Sequence, residues 1–174
     1  HDSVTSEEKE LIPFYDEFDR LVESTELETG HEFADTGAGF MMTVHITDKN
    51  AKSVATNLLI SLWKLFTRIQ KLIDSKDHAP RGFRIRIASG YIIAKRKRDG
   101  RLSKRGKHIN LAHNMLGIAK SLGIVCHLSF VRLLDLALLK EQNFTVSKIN
   151  VHEKRLDSVS AHDADCMYEI GVKA

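Results

Sequence analysis

Along residues 50–74, Val54, Leu58, Leu62, Leu65, Phe66, Ile69 and Ile73 recur at three- and four-residue intervals. That period predicts one long amphipathic helix with an apolar stripe on one side. Strand signals flank it. Residues 32–46 read as two short strands, HEFAD and GFMMTVHI, around a turn at Thr36-Gly37-Ala38-Gly39. Glycine there permits the positive φ of a tight hairpin. Residues 83–94, FRIRIASGYIIA, alternate in their first half as a half-buried strand does. A helix packed between such strands restricts the chain to layered α+β architectures.

The remaining elements follow the same signals. Leu11, Phe14, Tyr15, Phe18, Leu21 and Val22 predict a first helix. Pro13 is tolerated in it if the helix begins near Glu10. Asp77 to Gly82 reads as a loop, and Asp99-Gly100 as a hairpin turn. A helix over 110–121 precedes a strand over 124–130, a helix over 131–141, and strands over 144–151 and 165–172. The expected fold is α+β, with helices on an antiparallel-rich sheet, in one domain spanning residues 1–174. Met41 and Met42 read as strand packing, and Trp63, between helix core positions, as structural. The first helix has no strand before it to pack on, so that strand is expected from upstream sequence or from another chain.

Charge is concentrated. The chain carries a formal net +3, yet residues 95–107 hold eight basic residues (Lys95, Arg96, Lys97, Arg98, Arg101, Lys104, Arg105, Lys107) and one acid, Asp99. The rest is therefore net acidic. So dense a cluster is either solvated or meets an anion, with phosphate the obvious candidate. Aromatics do not interleave the run, so base stacking is not suggested. No stretch of 18 apolar residues exists, which excludes a helical membrane span. Two cysteines, Cys126 and Cys166, cannot build a disulfide framework and fit reduced thiols in the cytoplasm. His108 and His113, five apart, are not a helix-face metal pair. Neither G-x-S-x-G nor a Walker loop is present.

With these elements in order, the chain resembles the class III nucleotide cyclase catalytic domain. SEEKELIPFYDEFDRLVE is similar to its first helix, and HEFADTGAGFMM to the hairpin usually written K-T-I-G-D-G-F-M. GFRIRIASGYIIA is similar to R-I-G-I-H-x-G-x-V, GKHINLAHN to G-D-x-V-N-x-A-x-R, and CMYEIG to a closing V-Y-E-V strand. The resemblance implies a ferredoxin-like βαββαβ core and a head-to-tail dimer, either a homodimer or a pairing with a second cyclase half. It implies conversion of a nucleoside triphosphate to a 3′,5′-cyclic monophosphate and pyrophosphate with two divalent ions, Mg2+ or Mn2+.

The departures fall on the chemistry. The family's second metal aspartate matches Ala38, beside Gly37, and alanine offers no oxygen. The first aspartate is expected upstream of His1. Asp35 lies three residues before Ala38, but strand alternation points it elsewhere. The transition-state arginine matches Asn114, which cannot supply that positive charge. The base-reading lysine and aspartate match Ala34 and Lys107, so adenine-type recognition is not expected. Asn110, which orients the ribose in the family, is retained; as an asparagine at a helix start it also reads as an N-cap. Lys104, Arg105 and Lys107 are placed to reach a triphosphate from the basic hairpin. Three readings follow: a degenerate cyclase-homology domain for dimerisation or nucleotide sensing; an active cyclase of non-adenine, including pyrimidine, base choice as in antiphage signalling; and a nucleic-acid-binding module working through residues 95–107.

Overall fold

The computed structural model describes residues 6–25, 31–35, 39–77, 79–80, 82–100, 102–118, 122–150 and 159–173. The chain forms two compact units, His1–Phe83 and Arg84–Ala174. Together they are a mixed α/β structure.

The first unit contains α1 (Ser6–Glu23), the antiparallel hairpin β1 (His31–Asp35) and β2 (Phe40–Val44), and α2 (Ala51–Asp74). α2 buries Val54, Ala55, Leu58, Leu59, Leu62, Leu65, Ile69 and Ile73, the stripe its period dictates. Each fully buried leucine contributes about 2 kcal/mol. α1 packs against α2 through Phe14, Phe18, Leu21 and Val22. Phe18 sits among three rings, with centroids 6.3 Å away in Phe14, 5.9 Å in Phe40 and 5.5 Å in Phe83. Phe66 extends the cluster to Trp63 at 5.7 Å, so Trp63 is a packing residue. Met42 is half-buried in β2, whereas Met41 is exposed. α1 begins at Ser6 rather than near Glu10, which leaves Pro13 inside the helix. Its ring forfeits one backbone bond; the buried aromatic face of α1 offsets that cost.

The second unit contains β3 (Arg84–Ile87), β4 (Ile93–Arg96), β5 (Leu102–Arg105), α3 (Lys107–Ile118), β6 (Gly123–His127), α4 (Leu128–Val131), α5 (Leu136–Glu141), β7 (Phe144–Lys148), α6 (Ala161–Ala164) and β8 (Met167–Val172). Its four-stranded sheet runs β3-β6-β8-β7, with β3 parallel to β6 and the other neighbours antiparallel. β6 is buried at every position, as a central strand covered on both sides must be. Leu111 and Met115 of α3 pack with Val125, Val159, Ala164 and Met167. Arg84 ties β3 to α3 through a 3.3 Å bond to the Leu116 carbonyl. Cys126 is fully buried, and burial pushes its thiol far up, so it is unreactive at neutral pH.

The segment 83–94 is not one strand. β3 leaves the sheet at Ala88, and Ile93 opens a separate two-stranded ribbon with β5. This ribbon interrupts the crossover between the parallel strands β3 and β6. Its turn places Gly100 at φ 82, a conformation that glycine adopts without penalty. Among the described residues, no helix is long and apolar enough to cross a membrane.

Candidate functional site

The residues proposed for chemistry fall in both units. In the first, Ala34 lies on β1 opposite Met41. Gly37 and Ala38 lie outside the described residues.

In the second unit, the basic run divides. Lys104 and Arg105 belong to β5, while Lys107 opens α3 rather than the hairpin. The helix starts early because Gly106 accepts from the amides of Ile109 and Asn110, at 3.2 and 3.5 Å. Asn110 therefore lies in the first turn, not at the cap position that its sequence context suggests. It is exposed, and Asn114 follows one turn later on the same face, half-buried.

Lys107 does not project freely towards a ligand. Its Nζ lies 3.4 Å from Oδ2 of Asp163, a carboxylate only 8% exposed. Asp163 accepts the Ser160 hydroxyl at 2.7 Å, and Ser160 in turn accepts the Asp163 amide at 3.1 Å as the N-cap of α6. The other carboxylate oxygen is 3.5 Å from Nε2 of His127. Nδ1 of His127 accepts the Ser129 amide at 3.1 Å and caps α4, which assigns the ring proton to Nε2. The Ser129 hydroxyl lies 2.9 Å from the same Nδ1 and accepts the Ser89 amide at 3.1 Å. His108 stands beside His127 with ring centroids 6.3 Å apart. Gly90 makes room for it, because a Cβ at that position would collide with the His108 ring.

This cluster stitches the exit of β3, the start of α3, the end of β6 and α6 together, and so sets where Asn110 and Asn114 stand. Burial raises the Asp163 pKa, but the Ser160 hydroxyl and Lys107 outweigh it and hold the carboxyl below the usual carboxylate range. Burial also lowers the His127 pKa. Asp163 opposes that shift, while His108, Lys107 and His162 reinforce it, so the ring is neutral at pH 7. Sequence reasoning missed Asp163 and His127. The available signal was Ser160-x-x-Asp163, a helix-capping pattern, directly before the last strand.

A pH dependence follows. Since the folded-state pKa of His127 lies below its unfolded value of about 6.5, the unfolded chain binds more protons in that window. Stability is expected to fall as pH drops below about 6.5 towards the folded value. His127→Asn keeps a capping acceptor and removes the titration, so its urea midpoint should depend less on pH between 7 and 5 than that of the parent. An equal pH dependence in both proteins would refute this role for His127.

Elsewhere on the sheet, burial, then the nearby Arg84, pulls the Arg86 guanidinium down to about 10, against upward pulls from Glu169 and Cys126. It remains charged at neutral pH and donates to the carbonyls of Ile85 and Gly123, each at 2.9 Å. Among the described residues, no group of three or more His, Cys, Asp or Glu side chains is arranged to hold a metal ion. No protein-family model matches the chain, and no curated protein matches it.

Proposed function

We propose that the chain is a class III cyclase-homology domain, degenerate at its metal and transition-state positions, that serves dimerisation or nucleotide sensing in the cytoplasm. The observation that carries this reading is the order of its parts. The helix α1 and the β1–β2 hairpin are followed in turn by the strand β3, the helix α3 bearing Asn110 and Asn114 on one face, and the closing strand β8. That is the order of the family's pieces, and a ferredoxin-like core is part of the same proposal. Ala38 supplies no metal ligand, and Asn114 supplies no cation for a transferring phosphate. Lys104 and Arg105 lie on β5 just before α3, on opposite faces of the ribbon, and in this reading one of them meets the phosphates of a bound nucleotide.

The test is incubation of the chain with each of the four ribonucleoside triphosphates and Mn2+, with nucleotide binding followed in parallel. Binding without turnover is the expected result. Robust cyclic product from any of them would refute degeneracy and favour an active cyclase of altered base choice. In that case Ala38→Asp should raise the rate further by restoring a metal oxygen.

A further inference from the structure

The ribbon β4–β5 is unlike the rest of the molecule. Every residue from 91 to 100 is exposed, including Tyr91 at 96% and Ile93 at 74%. Its register pairs Ile93 with Arg105, Ala94 with Lys104, Lys95 with Ser103 and Arg96 with Leu102. Strand alternation then puts Lys95 and Arg105 on one face and Arg96 and Lys104 on the other. Lys97 and Arg98 lie at the turn, where Arg96 donates to the Gly100 carbonyl at 3.3 Å and helps to hold the tip closed.

From this distribution we propose that the ribbon binds duplex DNA by entering the major groove and contacting phosphates on both sides of it. Cations on both faces and at the tip suit a cleft with two anionic walls. A flat anionic surface, such as a lipid bilayer, engages one face only. Single-stranded nucleic acid is bound largely by stacking on a series of aromatic rings, and the ribbon from 93 to 105 contains none, with the exposed ring of Tyr91 standing alone at its base. The deep, narrow major groove of A-form RNA does not admit side chains, whereas the major groove of B-DNA is about 12 Å wide and accepts a two-stranded ribbon. Two four-residue strands span about 13 Å, enough to lie along part of one turn. The proposed contact is with the phosphate backbone, which carries no sequence information.

The test measures the affinity of the whole chain for a mixed-sequence DNA duplex as a function of salt. A straight log–log plot with a slope of about −4 is expected, as for four to five neutralised phosphates. The triple variant Lys95→Gln, Lys97→Gln, Arg98→Gln should make that slope shallower by about 2 to 3. Its side chains are exposed, and circular dichroism should confirm an unchanged fold. No duplex binding at low salt, equal affinity for a single strand of the same length, binding only to anionic vesicles, or an unchanged slope in the variant would each overturn the proposal. The altered residues leave Lys104, Arg105 and Lys107 in place, so nucleotide binding in the same variant reports separately on the cyclase-type reading.

Discussion

Phe18→Ala is expected to cost about 3–5 kcal/mol of stability, the range for truncating a buried aromatic ring. Phe18 is 8% exposed and has three phenylalanine rings within 6.3 Å, drawn from α1, β2 and the segment before β3. Removing it strips dispersion contacts from all three rings and leaves a void where the side chain stood. Urea unfolding followed by circular dichroism measures the loss. Phe18→Leu should recover a substantial part of it, because most of the volume returns. A loss below about 1 kcal/mol for the alanine variant would show that the first unit does not depend on this aromatic centre.

Asp163→Ala should be the next most damaging change, at about 3 kcal/mol. The carboxylate is the shared partner of the Ser160 hydroxyl, Lys107 Nζ and His127 Nε2, in a position from which water is nearly excluded. Truncation removes the acceptor of the Ser160 hydroxyl and the counter-charge of Lys107, both exposed, and takes the nearest acceptor away from the buried Nε2 of His127, whose desolvation then goes uncompensated. Asp163→Asn keeps an oxygen for Ser160 and should lose less. The effect has a pH signature. A depressed carboxylate pKa stabilises the fold above the unfolded value of about 3.9 and ceases to do so as pH falls through the folded value. Parent and alanine variant should therefore converge in strongly acidic solution. A difference that persists undiminished there would mean that lost packing, rather than the charged network, accounts for the damage.

These two positions also show what the sequence discloses and what it hides. The aromatic centre was legible, because α1 and α2 carry their apolar residues at helical period, and both hairpins announce themselves through glycine turns. The polar centre was not. Asp163 and Lys107 are far apart in the chain and meet only because β8 pairs with β6 while α3 packs over the same strands. No local pattern encodes that pairing. The break between β3 and β4 was hidden for a related reason. FRIRIASGYIIA stays apolar enough to read as one strand, and only the need to seat His108 against Gly90 shows where the backbone turns away. Within the candidate site, the existence of a helix carrying both Asn110 and Asn114 followed from the sequence. The helix start did not, because a glycine carbonyl rather than an asparagine side chain fixes it. His127, too, read as strand interior, since its capping role is visible only once α4 is known to follow immediately.

The ribbon's placement has an architectural corollary. It rises from a crossover whose two feet nearly touch, for a methyl group at Gly106 would come within 2.8 Å of the Tyr91 carbonyl. A segment that leaves and re-enters a fold at one point acts as a cassette. It can be lengthened, shortened or exchanged while the sheet beneath keeps its alignment, so the tip is free to diverge while the scaffold stays the same.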